Sequence, residues 1–521
     1  MIGTGFIAPL MVLLSFAVAL LIFPLPDHRT GVRSTLNLSA AVLKVGLVVY
    51  LIPIVFGDGA APEWSMPFLP GIDLVLRVDR FALFFAGLSS LLWLLTTLYA
   101  IGYLKGKPHR SRFFGFFSLC VTATVGISFS GNLITFLIFY EMLTLVTYPL
   151  VAHRGDAKSL AAARVYLRYA LSGGLSVLFG VVWLTVLAGP VDFAQGGVDA
   201  LADVAASDPV ALTLIFALLV GGMGVKAALF PLHGWLPRAM VAPAPVSALL
   251  HAVAVVKAGV FGICRVVDDV YGIEVARDLG VLTPLLIIAS FTIVYGSYIA
   301  LRQTDLKARL AYSTVSQVSY VTLGLAMAGV VATSGGIVHL VHQGIMKITL
   351  FFCAGLFAEV MGRKAIAELR GLGARMPLTS VAFTVGAFGM IGLPPTAGFI
   401  SKWQLGQGAL LSGNTWVLGV LVASTLLNAA YFLPIVYDLW FRDEEEPEEP
   451  EEPEEPGEPD EPGADATAGH STDRGEVRAR RLMLVPALVT TVAVLALGVA
   501  ASAQYSPLWV AELISEAVFQ S

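Results

Sequence analysis

Residues 210–239 read VALTLIFALLVGGMGVKAALFPLHGWLPRA. The first part is apolar for about the 20 residues that a helix rising 1.5 Å per residue needs to cross a hydrocarbon core. Lys226 and Pro231 then interrupt it. A lysine at the centre of a span costs roughly 2.5–3.5 kcal/mol, and a proline removes a backbone donor and frees a carbonyl that lipid cannot satisfy. The stretch therefore reads as a broken membrane helix whose interruption is enclosed by protein.

Working outward, the same apolar length recurs along the whole chain. The 521 residues are 57% hydrophobic and 13% charged, with a mean hydropathy of +0.80, where a soluble domain carries about a quarter charged residues. Apolar runs fall at 2–25, 36–57, 79–103, 113–130, 131–151, 163–188, 210–232, 245–266, 280–301, 308–329, 332–358, 379–403, 415–440 and 482–503. The expectation is an all-α polytopic membrane protein of about 14 helices, which excludes a water-soluble enzyme; no nucleic-acid partner is expected. The first run lacks a charged leader and a small-residue cleavage site, so it reads as a helix rather than a signal peptide. Cys120, Cys264 and Cys353 lie singly in apolar runs, which suggests small buried hydrophobes and neither a disulfide framework nor a metal or iron–sulfur site.

The net charge of -5 comes from one stretch, 443–463, DEEEPEEPEEPEEPGEPDEPG. Repelling carboxylates and helix-breaking prolines predict a solvated linker between spans thirteen and fourteen. Loop charge orients the rest, because Lys and Arg collect on the cytoplasmic side. With the N-terminus outside, inner loops hold 22 basic residues against four outside, namely Arg77, Arg80, Arg265 and Arg277. The expected layout is helices 1–3 in residues 1–110, a five-helix unit in 111–268, a second in 279–441, a cytoplasmic acidic loop in 442–481, and helix 14 with a tail in 482–521. Both termini are then outside a bacterial-type plasma membrane.

Six basic residues remain inside the spans: Lys44, Arg168, Lys226, Lys257, Lys347 and Lys402. Lys44 and Arg168 lie near inner span ends, where a long side chain can snorkel to the interface; Arg168 has the alternative of pairing with Glu141. The other four would cost about 10 kcal/mol or more if they faced lipid, so they must face the bundle interior. Glu141, in NLITFLIFYEMLTLVTYPLV (132–151), is the one mid-span carboxylate and the natural counter-charge, either for a relay or for a structural ion pair. Lys226 precedes Pro231, and Lys402, in IGLPPTAGFISKW (391–403), follows Pro394 and Pro395. These broken spans, seven and twelve, cross in opposite directions, the pattern expected of two inverted repeats with ion sites at discontinuous helices.

Histidines share the lysine-bearing spans: His251 with Lys257 in 247–262, and His339 and His342 with Lys347 in 336–352. Imidazole titrates nearest neutrality and can pass protons between amines. A lone buried histidine is more often structural, and His339, nearest the outer surface, is the weakest candidate. His233 sits at the inner mouth of span seven, to admit protons or cap the helix. No cysteine or carboxylate lies at ligand spacing, so no metal and no cofactor is expected.

KAALFPLHGWLPRAMVAPAPVSALLH (226–251) and GLPPTAGFISKW (392–403), in this order, resemble the antiporter-like membrane subunits shared by Mrp-type sodium/proton antiporters, respiratory complex I and membrane-bound hydrogenases. The resemblance runs from about Asp79 to Trp440. It implies a proton path through Glu141, Lys226, Lys257, Lys347 and Lys402, with other membrane subunits as partners. Lys402 and HLVHQGIMKITLFF look most like the Mrp D subunit; the acidic insertion departs from the family pattern. The implied function is proton transfer coupled to export of a monovalent cation, Na⁺ first. The alternatives are a proton-pumping subunit of a redox-driven complex and a membrane partner that energises inorganic-carbon uptake.

Overall fold

The computed structural model describes residues 4–57, 59–443 and 469–520. Each apolar run coincides with a helix: α1 (Ile7–Ile22), α2 (Thr30–Val55), α3 (Arg80–Tyr103), α4 (Arg110–Phe129), α5 (Leu133–Val151), α6 (Ala157–Ala188), α7 (Pro209–Lys226), α8 (Ala244–Tyr271), α9 (Leu282–Leu301), α10 (Leu306–Ala326), α11 (Val330–Met361), α12a and α12b (Pro377–Ile391 and Ala397–Leu411), α13 (Val417–Phe441) and α14 (Gly469–Val499). Eleven of the described helices are long and apolar enough to cross a membrane, and α1 and α12a are shorter apolar helices. The fold is all-α and polytopic, as the apolar windows require. The acidic stretch expected to form a linker, 443–463, lies outside the described residues from 444 onward. α14 begins at Gly469, within the segment read as a loop, and the tail forms a further helix, α15 (Pro507–Gln520).

Local chemistry sets the helix ends. Asp79, Asn132, Asp156, Asp208 and Asp305 cap α3, α5, α6, α7 and α10, each accepting from a backbone N–H three residues on. Between α2 and α3 lies a small antiparallel hairpin, β1 (Glu63–Leu69) and β2 (Ile72–Arg77), closed by an Arg77–Glu63 ion pair of 2.5 Å. The side of the bundle that carries it is the hairpin face.

Burial grades from rim to centre. The apolar stretch of α8 is entirely buried and that of α11 is 78% buried, whereas those of α2, α13 and α14 are 33% buried. Large apolar side chains such as Val186, Leu411 and Phe441 stand exposed at the rim; with no water to oppose it, that surface suits lipid or neighbouring subunits. The two helices richest in lysine and histidine are thus both well shielded from lipid. α14 packs back on α3 and α11.

Candidate functional site

α7 stops at Lys226 and α12a at Ile391, and the two breaks are finished differently. At the first, Trp235 Nε1 donates to the freed Val225 carbonyl at 2.7 Å. Lys307, at the start of α10, donates to the carbonyls of Met240 (3.0 Å) and Ala242 (2.7 Å). Lys226 instead donates to Tyr140 O on α5 at 2.6 Å, its ammonium 3.1 Å from the centre of the Tyr140 ring. At the second break, Lys402 reaches back to Ile391 O (2.7 Å), Met390 O (3.3 Å) and Thr425 Oγ1 (3.2 Å). A cation therefore sits on the negative end of α12a. Gly392 permits this, with φ +89°, and a Cβ there would meet Lys402 Cδ at 2.7 Å. Lys402 thus bonds the carbonyls of its own break, whereas Lys226 turns to the neighbouring helix.

Tyr140, the anchor of Lys226, adjoins Glu141. Glu141 is partly buried, its Oε1 has no protein partner, and it lies against Gly174 of α6, where a Cβ would collide with the carboxylate. Among the described residues Glu141 forms no ion pair. Arg168 does not supply one: it is exposed on α6, so it stands apart from the buried row.

Deeper in, Lys257 of α8 donates to Leu340 O of α11 at 2.7 Å. The adjacent His339 bonds through Nδ1 to Ser401 Oγ of α12b at 2.8 Å, and Ser401 adjoins Lys402. Tyr320 packs on the His339 ring and lies 5.6 Å from the Lys402 ammonium. His339, the weakest histidine by sequence position, is thus the one between Lys257 and Lys402. Two turns along α11, Lys347 bonds Leu310 O (3.0 Å) and Ser313 Oγ of α10. His251 stacks on Phe351 at 4.6 Å, one turn past Lys347. His342 is buried with Nδ1 unpartnered, and His233 packs among Phe230, Tyr295 and Tyr312.

Several unpartnered buried polar atoms lie on α8, α10 and α11 beside these residues: both nitrogens of His251, His339 Nε2, both amide atoms of Gln343 and Gln317 Oε1. Groups of this kind are satisfied by internal water, the medium that carries protons between fixed side chains. The lysines bond carbonyls and hydroxyls rather than carboxylates, an arrangement that accepts a charged or a neutral amine.

Four basic residues sit elsewhere than expected. Lys44 does not snorkel: it is fully buried, donates to Ser15 Oγ at 2.7 Å and lies over Trp93 at 5.1 Å, because α1, α3 and α4 close around α2. Arg33 and Arg265 were counted to loops but are buried, Arg33 against Ser111 and Arg265 inside the last turns of α8. Lys307 lies inside the first turn of α10. Proximity of apolar windows could not reveal these, since each needs a partner from a distant helix.

The transmembrane family described as NADH:quinone oxidoreductase/Mrp antiporter matches residues 130–428. The chain is 34% identical over 472 residues to the N subunit of the NADH-quinone oxidoreductase of Desulforudis audaxviator, covering 88% of each. It is 34% identical to the Na⁺/H⁺ antiporter A subunit of Alkalihalophilus pseudofirmus, over 69% of this chain and 46% of that one. With the probable K⁺/H⁺ antiporter A/B subunit of Rhizobium meliloti it shares 32% identity, over 75% of this chain and 38% of that one. The chain thus spans less than half the length of those two antiporter proteins. A chain of the Mrp complex from Dietzia sp. DQ12-45-1b superposes with a TM-score of 0.83 at 25% identity, over 99% of this chain and 100% of that one. A chain of an archaeal membrane-bound sulfane sulfur reductase shares the fold, with a TM-score of 0.82 at 23% identity. The chain belongs to the NADH:quinone oxidoreductase/Mrp antiporter transmembrane family and is a multi-span antiporter-like membrane subunit.

Proposed function

We propose that this chain is the proton-carrying subunit, of the Mrp D type, in a multi-subunit monovalent cation/proton antiporter. The observation that carries the reading is the route from Glu141 past Tyr140 to Lys226, and from Lys257 past Leu340 and His339 to Ser401 and Lys402. Protons are taken up near Glu141 and move through Lys226, Lys257 and Lys347 to Lys402, with histidines and water between. The two units α4–α8 and α9–α13 are read as inverted repeats, because each breaks its fourth helix and sets a lysine beside the break. The hairpin face is read as outer, with both termini there, and Na⁺ as the exchanged ion. Glu141→Gln should abolish cation-driven proton movement in everted vesicles while the complex still assembles. Wild-type exchange by an assembled Glu141→Gln complex would refute the scheme.

A second reading has its own support: the match to the N subunit of a quinone oxidoreductase extends over 88% of both chains. There the same route is driven by electron transfer in partner subunits. Isolation of the intact complex separates the two, since peripheral iron–sulfur subunits favour redox drive and small membrane subunits favour antiport.

A further inference from the structure

A cavity of about 420 Å³ opens on the hairpin face, away from the lysine row. Its lining includes Asp79, Asp268, Asp269, Arg265 and Gln195. Two of the three carboxylates are occupied. Arg265 donates to both oxygens of Asp79, at 2.9 and 2.8 Å, and to Asp269 at 2.6 Å, and Asp79 also caps α3 through Ala82 N. Asp268 is left over. It is 3% exposed, and its Oδ1 has no hydrogen-bond partner.

A carboxylate held in this way is expensive, since burying an unpaired polar group costs several kcal/mol unless water or a proton satisfies it. The charged groups around the cavity are Arg77 of β2, Asp79 and Arg80 of α3, and Arg265 and Asp269 of α8. With Asp79 and Asp269 tied to Arg265, a single free carboxylate remains, which is too little to cage a metal cation but enough to hold one proton. Below Arg265, Phe261 stacks on Phe81 at 4.6 Å and on Phe85 at 4.7 Å, and the Arg265 guanidinium lies over Phe81 and Phe261. Lys257 is one turn before Phe261 on the same helix, and Asp268 follows about two turns after Phe261. Aromatic rings thus separate the lysine row from the cavity.

We propose that Asp268 is a proton-exchanging group of the hairpin face, from which α8 gives the middle of the lysine row, at Lys257, a side branch to the outer solution through this cavity. Its carboxylate takes one proton from hydronium and returns it to water, with no other bond made or broken. Arg265 keeps Asp79 and Asp269 out of that exchange, and Phe81, Phe85 and Phe261 close the way to Lys257 between transfers. The proposal rests on the proton-carrying role given to the row.

The test uses the intact complex. Asp268→Asn should lower proton transfer about 10²-fold, the scale of a lost positioned acid–base group, while its subunits still co-purify. Asp268→Glu should retain most of the rate. Gln195→Cys should be labelled in whole cells by a membrane-impermeant thiol reagent, against a wild type whose cysteines are buried. Failure to label Gln195→Cys overturns the open cavity. Wild-type transfer in Asp268→Asn overturns the role of the carboxylate, and a Na⁺-dependent shift in apparent cation affinity in that variant overturns the choice of proton over metal cation. If Asp268→Asn does not assemble, Asp268→Glu decides: an assembled but inactive variant refutes the proposal, and an active one supports it. Glu141→Gln, run in parallel, separates the two ideas. Its retained activity refutes the row, whereas its loss beside a normal Asp268→Asn refutes only Asp268.

Discussion

Replacing Lys402 separates its two duties, capping the end of α12a and carrying a proton. In Lys402→Met the Ile391 carbonyl loses its 2.7 Å donor, while Met390 O keeps Asn428 Nδ2 at 3.2 Å and Gln317 Nε2 at 3.4 Å. One orphaned carbonyl costs about 1–3 kcal/mol. Removing the amine from mid-span returns about 2.5–3.5 kcal/mol, so the two nearly cancel. We predict that assembled complex, measured by co-purification, stays within about a factor of two. Lys402→Arg keeps the charge and the carbonyl bonds, but a guanidinium does not release its proton at any working pH. Both variants should therefore lose proton transfer in everted vesicles by about 10²-fold or more with assembly intact. Wild-type transfer in Lys402→Arg would show that Lys402 serves only as a fixed charge and cap, and the proton route would have to end at His339.

Further outcomes follow from close contacts elsewhere. Gly174→Ala would drive a methyl group into the Glu141 carboxylate; overpacking of this kind costs about 1–3 kcal/mol, and the variant should lose more transfer activity than assembly, measured side by side. Arg265→Met strands Asp269 as an unpaired buried charge and leaves the partly exposed Asp79 with only its capping bond, a loss of about 3–5 kcal/mol, and should lower the thermal stability of the detergent-solubilised complex, with Arg265→Lys intermediate. In the loop after α5, burial, aided by the neighbouring Arg112, holds His153 down to about 4 from the usual 6.5. The unfolded chain takes up this proton first, so His153 contributes full stability above pH 6.5 and loses it as pH falls toward 4. A melting series in wild type and His153→Gln should show a shallower acid decline in the variant.

Helix number and placement were legible in the chain because crossing lipid leaves one solution for the backbone, a helix about 20 residues long, and composition alone reports that length. The breaks at Pro231 and at Pro394–Pro395 were legible for the same reason: proline acts on its own backbone wherever it falls. The cost of a mid-span charge likewise separated Lys226, Lys257, Lys347 and Lys402 from the loop residues before any fold was known. Partners were another matter. Window position alone put Lys44 at the interface, whereas four packed helices bury it against Ser15. Charge counting gave Arg265 to a loop, and its pairing with Asp79, 186 residues away, places it inside α8. His339 looked peripheral by its distance along α11 and became central once α12b brought Ser401 beside it. A residue's tolerance of lipid is a property of its own side chain and depth, so one sequence can state it. What a buried charge bonds to depends on which distant helix packs against it, and only the tertiary structure decides that.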